Sequence, residues 1–232
     1  MRNLLIFIIL YTISKAVLCS STFGPYEGRL IYHEDDKNIS YRIDNTGDFA
    51  WLSQAWVEEL DDKKSEKFTV VPYLFRVEPN SQYTARIIKK EKIREDRESL
   101  FWVVTNSIPG RVKDQDKLKR GDVDAKLNLA FRYKVPMIYR PNTLKHRKFN
   151  PEKVKWASDP KGMLELYNNT EFVIHLQYIS LGGKRKEGAG ITLLIPPFTN
   201  AVIRVKARKG MTFKYGVVND YGAVREYNGT TD

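Results

Sequence analysis

Cysteine is almost missing from this 232-residue chain, where Cys19 stands alone. One thiol excludes an intramolecular disulfide framework, so whatever folds here is held by packing. Histidine is scarce as well: His33, His146 and His175 show no metal-ligand spacing, and neither a Gly-x-Ser-x-Gly turn nor a cysteine nucleophile beyond residue 19 is present. No enzyme chemistry, no metal and no cofactor are therefore expected. No sustained apolar period of 3.6 residues runs through the chain, which argues against helical architecture. After the first residues there is no apolar run long enough to cross a membrane, and no internal repeat.

What is present begins with a leader. Met1-Arg2-Asn3 is a short positive segment and Leu4 to Ile13 is nearly unbroken apolar sequence, so residues 1–20 read as a cleaved signal peptide. A lipid anchor on Cys19 is the competing reading, opposed by the bulky Leu18 where a small residue is expected. The chain carries 39 Lys and Arg against 28 Asp and Glu, a formal charge of +11; Arg2 and Lys15 fall in the leader, so 37 basic residues remain and the charge becomes +9. The basic clusters at Lys89-Lys90, Lys117 to Arg120, Lys145 to Lys148 and Lys184 to Lys186 are either solvated faces or attractors of acidic partners. No nucleic-acid partner is expected in the absence of a binding module.

Strand signals recur at short intervals. Ile39 to Asp44 alternates cleanly, and Tyr83 to Ile88, Leu100 to Val104, Phe172 to Leu176 and Ile191 to Ile195 follow. Turn-forming Asn45 to Asp48, Pro79 to Ser81 and Asp159 to Gly162 separate them. The pattern predicts an all-β chain of β-sandwiches, and about 210 residues suffice for two domains that each bury a core. Asn142 to Asn150, polar, basic and bracketed by Pro141 and Pro151, reads as the linker. Residues 21–141 and 152–232 would then be the domains, joined by 142–151.

The most informative stretch is LNLAFRYKVPMIYRP, residues 127–141. Leu127, Leu129 and Phe131 share one face at period 2, with Asn128, Ala130 and Arg132 on the other. If that face meets another protein the strand is a binding site; if it meets this chain's core it is only a strand. Gly110 to Lys126, just before it, is either an exposed hairpin loop or a functional loop.

Together with GRLIY (28–32), FTVVPYLFRVEP (68–79), DRESLFWVVTNSIPG (96–110) and VVNDYGA (217–223), this stretch resembles the periplasmic pilus (fimbrial) chaperones, the PapD-like family. The resemblance implies two immunoglobulin-like domains set at an angle, holding an incomplete pilus subunit in the cleft between them and passing it to an outer-membrane usher. It implies that the strand carrying Leu127, Leu129 and Phe131 is lent to the subunit in place of a missing strand. Main-chain bonds to an open edge and alternate side chains in pockets suit that use. Burying three such side chains contributes on the order of 5 to 9 kcal/mol before ordering costs. The resemblance further implies a cationic anchor for the subunit's C-terminal carboxylate, one member of which falls on Arg29. The second falls on Pro136, and Lys134, two residues away on the same strand face, is the substitute expected instead. A buried charge network between the domains falls on Glu98, Arg140 and Asp220. The absence of further cysteines favours the short-loop subclass, and Pro72 is a candidate for a cis bond. The rival is a secreted immunoglobulin-like binding module or adhesin, for which the sequons at Asn38, Asn168 and Asn228 speak.

Overall fold

The computed structural model describes residues 22–110 and 129–232. The leader, Leu127, Lys117 to Arg120 and nearly all of the Gly110 to Lys126 loop lie outside the described residues. The described chain folds as two β-sandwiches, in agreement with the predicted class.

In the first sandwich one sheet takes the order β1 (Phe23–Pro25), β3 (Ile39–Asn45), β7 (Ser81–Lys89), β5 (Phe68–Val71). The facing sheet takes the order β2 (Leu30–His33), β9 (Phe131–Arg140), β8 (Ser99–Pro109), β4 (Trp51–Glu58), β6 (Leu74–Val77). Alternation accounts for what is buried: Tyr41 and Ile43 of β3, Ala55 and Val57 of β4, Ala85 and Ile87 of β7, and Val135, Met137 and Tyr139 of β9 all enter one core. Two polar pairs are admitted because each is satisfied inside it. The Tyr41 hydroxyl and Thr105 Oγ1 lie 2.8 Å apart, as do the hydroxyls of Ser53 and Ser107. The Val71-Pro72 bond is cis.

The segment from Phe23 to His33 serves both sheets. β1 pairs with β3, the chain crosses between the sheets over residues 26–29, and β2 then pairs with β9 in parallel, Leu30 opposite Met137 and His33 opposite Arg140. Arg29 therefore stands at the end of the crossing.

In the second sandwich β10 (Lys155–Ser158), β11 (Met163–Tyr167) and β15 (Asn200–Lys206) form one sheet. β12 (Ile174–Leu181) lies in the other between β13 (Lys184–Glu187) and β16 (Thr212–Val218), with β17 (Val224–Thr230) beyond and β14 (Leu193–Ile195) also on β12. Its core gathers Trp156, Leu164, Leu166, Ile174, Leu176, Ile203, Phe213 and Tyr215. Gly216 has no side chain because the Tyr178 ring lies over it; a Cβ there would stand 2.2 Å from that ring.

The connecting stretch is tied down along its length. Leu144 is buried, the Asn142 amide donates to Glu34 Oε2, and Lys145 and Arg147 pair with Asp35 and Glu171.

Candidate functional site

β9 is the element that positions the site, and its two ends differ in their neighbours. On one side it pairs with β8 over all but its last residue, from Ser99 opposite Tyr139 to Ser107 opposite Phe131. On the other side it pairs with β2 only from Met137 to Arg140. Among the described residues no strand pairs with Phe131 to Pro136 on that second side, so this half presents an open edge. Pro136 sits at the transition, an edge position at which a missing donor is tolerated. It neither ends the strand nor breaks its register with Trp102.

The alternating run predicted at 127–132 is only partly strand. Regular pairing starts at Phe131, and Leu129 lies just before it, 48% exposed. Phe131 is half-buried in an aromatic group of its own domain, its ring 5.2 Å from that of Trp51 and 6.4 Å from that of Phe23. Leu127 is outside the described residues, so the three expected donor positions are not seen together.

On the outer face of the same strand, Arg132 and Lys134 converge on Glu58, at 2.7 and 3.0 Å. Lys134 also bonds Asp62, and its ammonium lies 5.6 Å from the Trp102 ring centre. Burial works to raise the Glu58 carboxyl, but the hydrogen bonds from Lys134 and Trp56 and the nearby charges hold it below the ordinary carboxylate range. Glu58 was not singled out from the sequence. No local signal marks it, because both of its cations lie far along the chain.

Arg29 is half-buried at the crossing between the sheets, and its guanidinium donates to the backbone carbonyl of Asn219 in the second sandwich. Burial lowers its pKa, while Asp220 and Glu98 oppose that effect. Arg29 thus reaches the second domain. The charged groups that act on Lys134 are Glu58 and Asp62, a separate set, so Arg29 and Lys134 share no partner.

Glu98, Arg140 and Asp220 are brought together at the junction of the domains. Arg140 Nε donates to Glu98 Oε1 at 2.6 Å, and its two terminal nitrogens donate to the Asp220 carboxylate at 2.6 and 2.9 Å. The other Glu98 oxygen accepts the Val173 amide at 2.6 Å. Glu98 is the most enclosed, its side chain 1% exposed. Burial pushes its carboxyl up even with Arg140 beside it, whereas the Arg140 hydrogen bonds hold Asp220 below the usual range. An apolar contact accompanies the charges: Leu100 and Ile138 of the first domain meet Val173 of the second, with Leu194 beside them.

Two further expectations meet the structure at single residues. The sequon asparagine Asn168 is fully buried and its amide donates to the carbonyls of Phe172, Ile195 and Pro196, so it is a structural clasp inaccessible to a glycan. The basic cluster Lys184 to Lys186 is exposed on β13, with Arg185 paired to Glu187.

Comparison with known proteins bears on the whole arrangement. Residues 23–145 match the family described as pili and flagellar-assembly chaperone, PapD N-terminal domain, and residues 150–229 match the pili assembly chaperone PapD, C-terminal domain. The chain is 30% identical over 203 residues to the chaperone protein FocC of Escherichia coli, covering 85% of each. It is 32% identical over 207 residues to the chaperone protein HifB of Haemophilus influenzae, covering 85% of this chain and 83% of that one. Among solved structures, the Salmonella enterica SafA pilin in complex with the SafB chaperone superposes with a TM-score of 0.72 at 26% identity, over 91% of this chain and 96% of that one.

Proposed function

The chain belongs to the PapD-like pilus-assembly chaperones, and on that footing we propose that it captures incomplete pilus subunits by lending them the open edge of β9. The observation that carries this reading is the half-paired strand. From Phe131 to Pro136 the backbone groups facing away from β8 are free to complete another sheet, while Met137 to Tyr139 are locked on both sides. Leu127, Leu129 and Phe131 would fill the subunit's groove, and Phe131 would have to share its ring between that groove and Trp51.

In this reading Arg29 grips the carboxylate that ends the subunit chain. A guanidinium partly withdrawn from water makes stronger charge-assisted bonds than an exposed one. Lys134 is the second cation on the strand face, held in the free protein by Glu58 and Asp62 and released toward the subunit on capture. Glu98, Arg140 and Asp220 set the relation of the two domains, taken as residues 21–141 and 152–232 with 142–151 between. Residues 1–20 direct the chain to the periplasm, where an outer-membrane usher receives the loaded complex. The adhesin alternative is not favoured.

The test is co-expression with a pilus subunit. A soluble one-to-one complex is expected from the wild-type chain and none from Arg29→Ala. A subunit kept equally soluble by the variant would remove Arg29 from the anchor. Replacing Lys134 by Ala is expected to weaken capture more than replacing Lys119, and equal effects would remove Lys134.

A further inference from the structure

One polar side chain at the domain junction, outside every group assigned above, is withdrawn from solvent and has an atom without a partner. His175 lies on β12 between Ile174 and Leu176, both of which enter the second domain's core, so alternation turns its ring to the opposite face. That face looks toward the first domain. Val173, two residues earlier, packs on Leu100 and Ile138, and Leu194, which pairs across the ladder with His175, joins the same contact.

Three observations make this ring unusual. Its Nδ1 is buried and, among the described residues, has no hydrogen-bond partner, so the atom has lost water and gained nothing. Burial first, and then the Arg29 guanidinium, lower its pKa to about 4, so the ring is a neutral hydrogen-bonding group at neutral pH. Arg29 comes to the same place from the other domain: its guanidinium donates to the carbonyl of Asn219, two residues past Val217, which pairs across the ladder with Leu176, the neighbour of His175. Meanwhile position 136 of the adjoining strand supplies no donor, because Pro136 is the residue just before Leu30 and Met137 begin to pair.

A guanidinium and an unpaired imidazole approaching from two domains, next to a position that cannot donate, define a site for an anionic group. We propose that His175 is a further, neutral donor to the subunit's C-terminal carboxylate, supplied by the second domain beside Arg29 and in addition to the strand-face cation Lys134. The inference rests on the anchor reading of Arg29 and adds a residue to it. It also gives the second domain a direct part in gripping the bound chain. A neutral imidazole suits the role, since it can donate to a carboxylate without placing a second full charge beside Arg29 in a half-buried site.

The experiment uses the full chain and two synthetic peptides that copy the last fifteen residues of the co-expressed pilin, one ending in a free carboxylate and one amidated. Calorimetric dissociation constants for the pair give the preference for the free acid, expected to be about tenfold in the wild type, the size of one charge-assisted contact. His175→Leu, which keeps apolar volume and removes both nitrogens, is expected to lose at least about threefold of that preference. His175→Gln, which keeps a donor, is expected to restore most of it. A merely structural histidine would change both peptides' affinities alike and leave their ratio untouched. An unchanged ratio in both variants, with the ratio lost in Arg29→Ala, overturns the role of His175 and leaves Arg29 standing. An acid preference that survives Arg29→Ala overturns the anchor reading itself.

Discussion

The two halves of β9 are one strand under opposite conditions. Phe131 to Pro136 has a neighbour on one side, carries exposed charges on its outer face and begins beside an exposed leucine. Met137 to Tyr139 is buried and pairs with β2 and β8 at once, and the strand ends at Arg140 in the ion network that joins the domains. An isolated edge strand is an aggregation hazard and a loose template. The difference teaches that a strand can be offered safely when its continuation is immobilised, because the offered half inherits its direction from the fixed half.

The largest break in that comparison should come at the fixed end. Arg140→Ala leaves the Glu98 carboxylate buried without its cation and is expected to cost roughly 3 to 5 kcal/mol in urea unfolding. At the open end the effect should separate from stability. Leu129→Glu changes an exposed residue and should leave unfolding within about 0.5 kcal/mol of wild type, yet reduce subunit capture by tenfold or more. If Leu129→Glu destabilised the protein as much as Arg140→Ala, the two halves would not be independent. A smaller effect follows from His175. Its folded-state pKa of about 4 lies below the ordinary 6.5, so between those values the unfolded chain takes up a proton that the folded chain refuses. Stability should therefore decline as pH falls through that window. His175→Gln should flatten the decline, which urea midpoints at pH 7 and pH 5 would reveal.

The regular parts of the fold were legible because alternation is a strong local signal. The alternation of Ile39 to Asp44 predicts a strand, and the element runs Ile39–Asn45. Where boundaries moved, side chains or turns had taken the backbone bonds. Phe172 and Val173 stand outside β12 because their amides are claimed by Thr170 Oγ1 and Glu98 Oε2. Ile191 and Thr192 stand outside β14 because both amides turn back to the Gly188 carbonyl. The members of the ion network could be named from motif positions, whereas Glu58 and His175 could not. Each depends on a partner far off in sequence, Lys134 for one and Arg29 for the other, and periodicity carries no information about such pairs.

The crossing of the first strand segment from one sheet to the other has a mechanical consequence. A chain bound along the open half of β9 and drawn along the strand axis would load β2 and β8 in shear, many ladder bonds resisting together. Drawn sideways, it would peel its own bonds one after another, so that each gives way under a small load. The same grip is therefore strong in one direction and weak in another, and whatever removes the cargo need only pull from the side.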